Sequence, residues 1–191
     1  MKDIEKCILI VLVAGTVLSF KLIDKKVFEF VYPGRPNTGI ALAADNFKKF
    51  SKEWRGTDYY YYAEGKDGIV CSVLYFKLND DEKLSLVDVP KAAMGISVNS
   101  PAFPLSYFSN YSNLKKYEKN AQSWGEVTDD FMFRQTDVVE FENVKVNQKN
   151  MNGYGMAGDD LFVNVHLSKT GYTEADSIKM REMLNSLQRK Q

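Results

Sequence analysis

Residues 161–187 read LFVNVHLSKTGYTEADSIKMREMLNSL. The stretch opens with strict alternation. Leu161, Val163, Val165 and Leu167 fall on one face of a strand, and Phe162, Asn164 and His166 on the other. Gly171 turns the chain, and Thr173 followed by Asp176 has the spacing of a capping box. Met180, Met183, Leu184 and Leu187 then recur at i, i+3, i+4 and i+7, the stripe of an amphipathic helix. Arg189 and Lys190 are placed to complement the C-terminal dipole of that helix. A strand and a helix in succession predict a sheet with helical cover.

Upstream segments extend the pattern. Asp130–Phe141 and Asn143–Gln148 are β-prone. Thr57–Ala63 (TDYYYYA) and Gly68–Leu78 (GIVCSVLYFKL) are strands joined by a short polar loop. The second is apolar on both faces and so requires cover on both. Val27–Val31 is a short strand, stopped by Pro33-Gly34-Arg35-Pro36. Asn37 or Thr38 is placed to cap a helix from Ile40 to Trp54, with Ile40, Ala43, Phe47, Phe50 and Trp54 on one face. Leu84–Val89 reads as a further strand and residues 90–102 as an irregular connection. Phe103–Asn120 reads as a second helix, with Tyr107, Tyr111 and Leu114 on one face. The fold class expected is α+β: an antiparallel sheet flanked by helices, close to an α/β/α sandwich, in a single domain over residues 27–191.

Composition narrows the function classes. Of 191 residues, 45% are hydrophobic and 26% charged, which excludes disorder and collagen-like or simple coiled-coil structure. Lys and Arg together number 25, as do Asp and Glu, so no electrostatic footprint for nucleic acid exists. One His and two Cys leave little material for a soft-metal site, and neither a metal nor a cofactor is expected.

Residues 7–20 (CILIVLVAGTVLSF) carry no charge. As a helix they reach about 21 Å, short of a hydrocarbon core about 30 Å thick. The run suits a signal peptide with cleavage after Ser19, ahead of an uncleaved anchor over residues 7–23 in which Lys21 snorkels. A buried segment of a cytosolic protein is the third reading. No Cys follows the run at a lipobox position, since Cys7 starts it instead, which disfavours a lipoprotein. Residues 1–20 are therefore set apart as signal or anchor, and the expected location is periplasmic or otherwise extracytoplasmic.

Individual motifs favour structural roles. Gly153-Tyr154-Gly155-Met156-Ala157-Gly158 matches GxGxxG, but a strand rather than a helix follows, and Asp159-Asp160 would repel phosphate. A glycine-rich hairpin is the expected reading. Cys71 and His166 would form a dyad only if their strands are adjacent and both side chains share a face. The pairs Asp80-Asp81, Asp129-Asp130 and Asp159-Asp160 fit turns, without the spacing of a calcium loop. Asn110-Tyr111-Ser112 is a glycosylation sequon, relevant only to a eukaryotic secretory route. Tyr59–Tyr62 is the unusual string, since alternate tyrosines must point to opposite faces. Aromatic surface marks partner or ligand sites, and Trp54, Tyr60, Tyr62 and Tyr75 are the expected contact residues.

The hairpin around Gly153–Gly158, the strand Leu161–Leu167 and the closing helix TGYTEADSIKMREMLNSL, ending in Ser186-Leu187, resemble the PsbP-like group of small exported domains. The resemblance covers about half the chain and implies a non-enzymatic α/β/α domain used for binding or assembly at membranes. It carries no site residues. Together these readings predict an exported or membrane-anchored, non-catalytic binding domain that recognises a protein or an envelope component. The alternative is a small-molecule carrier or sensor with an aromatic-lined pocket.

Overall fold

Tyr, Val and Phe at alternating positions between 58 and 77 favour extended chain, because β-branched and aromatic side chains pack well on a pleated surface. The same chemistry recurs from 131 to 170. The computed structural model describes residues 25–45, 47–55, 58–78, 116–125 and 130–190, and these are dominated by strands. In chain order they are β1 (Lys26–Val31), β2 (Gly39–Ala44), β3 (Phe47–Arg55), β4 (Asp58–Gly65), β5 (Val70–Lys77), β6 (Glu118–Trp124), β7 (Phe131–Phe141), β8 (Val144–Gly158), β9 (Leu161–Thr170), α1 (Glu174–Asn185) and β10 (Gln188–Lys190). Seven strands form one antiparallel sheet in the order β3-β4-β5-β9-β8-β7-β6, and three form a second in the order β1-β2-β10.

The expected helix-flanked α+β sandwich is therefore corrected to a β-rich architecture of two antiparallel sheets, with one helix among the described residues. The main error lies at Ile40–Trp54, which forms β2 and β3. The apolar residues of this stretch satisfy two periods at once. Ile40 and Leu42 alternate as well as Ile40 and Ala43 recur. Pairing on both edges decides between the periods, with β1 on one side of β2 and β10 on the other. Ile40 and Leu42 are thereby fully buried. β10 also corrects the placement of Arg189 and Lys190, which pair with Ile40 and Gly39 rather than ending a helix. The end of the helix expected over 103–120 lies in β6 from Glu118. Its remainder to residue 115, the strand at 84–89, the connection at 90–102 and the N-terminal run lie outside the described residues. No helix among the described residues is long and apolar enough to cross a membrane.

The small sheet and α1 pack on one face of the large sheet. Phe30, Ile40 and Leu42 meet Cys71, Val73 and Tyr75 of β5 and Val163, Val165 and Leu167 of β9, together with Met180, Met183 and Leu184 of α1. Helix α1 starts as the sequence specifies. The Thr173 hydroxyl accepts from the Asp176 backbone N–H, and the Asp176 carboxylate accepts from the Thr173 N–H. Ser186 ends the helix, accepting from the Ala43 N–H at 2.9 Å and donating to the Met183 carbonyl at 2.6 Å.

Two hydroxyls, that of the buried Tyr75 and that of the half-buried Tyr61, join the sheets. Tyr75 Oη donates to the Phe30 carbonyl at 2.5 Å and accepts from the Ile40 N–H at 3.1 Å. Tyr61 Oη donates to the Val31 carbonyl at 2.6 Å. Edge-to-face contacts among Phe30, Tyr32, Tyr59, Tyr61 and Tyr75 surround them, with ring centroids 4.9–6.4 Å apart.

The glycine motif is not a turn. Gly153, Gly155 and Gly158 lie within β8, and the hairpin to β9 turns at Asp159-Asp160. Gly153 pairs with Phe133 and Gly155 with Phe131. A Cβ on Gly155 would stand 2.4 Å from the Asp130 carbonyl oxygen and 2.6 Å from the Phe131 ring. Glycine thus lets two rings of β7 lie across the neighbouring strand. The β7–β8 hairpin turns through Glu142 and Asn143, both at positive φ (48° and 67°), the geometry that suits a two-residue connection.

Beyond the apolar core, Asp137 and Lys149 face each other across β7 and β8 at 2.6 Å, both under one-tenth exposed. Asn120 and Tyr172 also donate to the Asp137 carboxylate, and the Lys149 ammonium sits 4.8 Å from the Tyr172 ring centroid. Burial alone would raise the Asp137 carboxyl. The hydrogen bonds from Lys149, Asn120 and Tyr172 outweigh it and hold the group below its ordinary range.

Two stability tests follow from these contacts. Tyr75→Phe is expected to cost about 1–3 kcal/mol in chemical denaturation, since it strands a buried carbonyl and a buried N–H. Lys149→Met is expected to cost about 3–5 kcal/mol by leaving Asp137 buried without its cation, and Asp137→Leu/Lys149→Met to recover most of that loss.

Candidate ligand-binding site

Strand register sets what shares the second face of the large sheet. Tyr62 pairs with Ser72, Ser72 with His166, His166 with Asn152, and Asn152 with Arg134. One row of side chains therefore runs across β4, β5, β9, β8 and β7. The flanking row carries Ser168, Asn150 and Thr136. Asn150, Asn152, Asn164 and His166 put polar groups where a strand interior would ordinarily be apolar. Asn152 and Asn164 are buried, and Asn164 Oδ1 has no hydrogen-bond partner.

At the β6–β7–β8 end of this face lies a concave pocket of about 380 Å³. Its floor is Thr136, Gln148, Asn150, Asn152 and His166, and its wall includes Tyr117, Val138, Phe141 and Val146. Tyr117 and Phe141 meet at a 4.8 Å centroid separation with their planes 53° apart. Glu118 also lines the pocket, and Arg134 holds both its carboxylate oxygens, at 3.2 and 2.6 Å.

The floor is a hydrogen-bonded chain. Thr170 donates to Gln148 Oε1, Gln148 Nε2 donates to Asn150 Oδ1 at 2.7 Å, and His166 Nε2 lies 3.1 Å from the same oxygen. A carbonyl oxygen only accepts, so the imidazole proton sits on Nε2 and Nδ1 keeps its lone pair. Desolvation pushes the His166 pKa down to about 4, so the ring is neutral at physiological pH.

The anticipated contact residues divide. Tyr60 and Tyr62 are half-buried on the pocket's face of the sheet, Tyr62 in the row of His166 with Ser72 between them. Tyr75 is fully buried on the opposite face, its hydroxyl spent on the other sheet. Trp54 pairs with Tyr59 in β3. Tyr60 and Tyr62 are not brought together with Tyr75, and none of these three lines the pocket. Its polar floor was visible only as polar letters, Asn150, Asn152 and His166 among them, at alternating positions of apolar strands.

The remaining motifs resolve plainly. Cys71 and His166 lie on adjacent strands, but Cys71 pairs with Leu167 and Ser72 with His166, so the two side chains point to opposite faces. Burial raises the Cys71 thiol to about 12. Asp160 is clamped by both Arg35 nitrogens at 2.5 and 2.9 Å, which holds its carboxyl below the ordinary range. Asp130 is exposed and lies 3.7 Å from Arg189. Asp80-Asp81, Asp129 and the sequon at 110–112 fall outside the described residues. Among the described residues, no group of three His, Cys, Asp or Glu side chains could hold a metal ion.

Two other cavities are already internally engaged. A cleft of about 480 Å³ contains Arg35, Asp130, Asp160, Arg189 and Lys190. Its cations pair with Asp160, Asp130 and Glu29. A groove of about 330 Å³ beside α1 holds Arg181, which stands 4.5 Å from the Trp124 ring centroid and donates to Gln135. No protein-family model matches the chain, and no curated protein matches it.

The half-buried imidazole gives a pH signature. The unfolded chain protonates His166 near 6.5 and the folded chain near 4, so the unfolded state binds more protons between those values. The stability His166 confers is complete above pH 6.5 and lost as pH falls toward 4. His166→Gln is expected to flatten the decline of Tm across that window. Imidazole NMR of the parent protein is expected to show a neutral ring at pH 5.5.

Proposed function

We propose that this chain is an exported or membrane-anchored, non-catalytic binding domain whose ligand is a small molecule held in the pocket around His166. The observation that carries this reading is the meeting of an aromatic corner, Tyr117 and Phe141, with a floor of amides in one concavity of about 380 Å³. Small-molecule sites of roughly 300–1,000 Å³ combine apolar walls with a few convergent polar groups in this way. The apolar run at residues 7–20 supports export or anchoring. The opposed faces of Cys71 and His166 support a role without nucleophilic catalysis.

A small ligand is favoured over a protein partner by the surface. Among the described residues the exposed large hydrophobics are Val27, Val139, Val144 and Ile178, on β1, β7, β8 and α1, too few to form a broad apolar patch. The chain contains a single histidine, so its imidazole resonances report on this pocket alone. A fragment library of neutral and charged compounds screened against the full chain is expected to yield ligands that shift those resonances saturably. The shifts should vanish in Asn150→Leu. A library that leaves His166 unmoved overturns the proposal.

A further inference from the structure

The geometry points to an uncharged, hydroxyl-rich ligand of the saccharide type, an assignment that rests on the pocket being a ligand site. Charge is the first argument. Glu118 is the only ionised residue among the described lining residues, and Arg134 neutralises it through a bidentate pair. His166 is neutral. A charged ligand would be desolvated against amides and apolar carbon, and the nearby Lys116 ammonium stands over the Tyr117 ring, 4.8 Å from its centroid, rather than among the described lining residues.

Hydrogen-bonding capacity is the second. The Gln148–Asn150–His166 chain consumes Asn150 Oδ1 and leaves the Asn150 Nδ2 donors and the His166 Nδ1 acceptor. Donor and acceptor are thus offered side by side on neighbouring strands. A ring bearing adjacent hydroxyls matches that set, since each hydroxyl both donates and accepts. The internal bonds also fix the floor before any ligand arrives, which lowers the ordering cost of binding.

The aromatic corner is the third argument, and it separates sugars from planar bases. Tyr117 and Phe141 touch each other at 4.8 Å and are tilted by 53°, so no slot exists between them for a flat heterocycle. They present one bent apolar wall instead. A sugar ring has an apolar C–H face and a polar hydroxyl rim, and it can set the first against the rings and the second against the amides.

The test uses the full chain and the His166 imidazole resonances. The probes are neutral oligosaccharides of glucose, galactose, mannose and N-acetylglucosamine, a galacturonic acid trimer, and adenosine. At least one neutral oligosaccharide is expected to shift His166 saturably and to bind about tenfold or more tighter than the galacturonic acid trimer. Phe141→Leu, which keeps an apolar residue at the hairpin, is expected to weaken that binding about tenfold with an unchanged near-UV circular dichroism spectrum. Preference for the uronic acid trimer or for adenosine overturns the saccharide assignment and leaves the pocket a ligand site. Silence from every probe, while library fragments still shift His166, does the same. Silence from probes and library together overturns the pocket itself.

Discussion

The buried Tyr75 hydroxyl is the contact on which the arrangement of the two sheets depends. It sits inside an apolar interface and would be costly there without partners. The partners are a carbonyl of β1 and an N–H of β2, so both demands are met only when the small sheet lies in one register over β5. Apolar packing between sheets is tolerant of sliding, whereas a bifunctional hydroxyl in a dry interface is not. Tyr61 repeats the device one strand away. Tyr61 and Tyr75 meet this need for aromatic bulk with a polar tip.

The two faces of the large sheet have been put to different uses. One is sealed by the small sheet and α1, and its strands carry valine, leucine and glycine toward that cover. The other interleaves amides and an imidazole with aromatic residues. Period-two alternation makes this separation cheap, because each strand serves both faces without compromise. β8 shows it most clearly. Met151, Gly153 and Gly155 serve the core, while Asn150 and Asn152 serve the pocket.

Much of the large sheet was legible in the sequence, since alternation at 58–78 and 161–167 had no helical competitor. The cap at Thr173 was legible because a capping box is a local motif whose partners are three residues apart. What failed was non-local. Residues 40–54 fit two periods, and one of the two strands that pair with β2, β10, follows α1 far along the chain. The glycines of β8 read as a turn because glycine ordinarily punctuates. Their purpose appears only opposite Phe131 and Phe133. The pocket needed the register of β6, β7, β8 and β9 together, which no single strand encodes. Tyr75 has the composition of a contact residue and the position of a strut between the sheets.

The small sheet has a consequence for how the protein reaches its native state. Its central strand has one neighbour close in sequence and the other beyond the whole large sheet, and the bond from Lys190 to Glu29 spans 161 residues. Contacts that span so much chain are established late, after the intervening segments have shortened the loop to be closed. Until β10 docks, β2 has an open edge next to Ile40 and Leu42. The interval before that docking is when the protein is most exposed to edge-to-edge association with other chains, and the three short residues of β10 act as the latch that ends it.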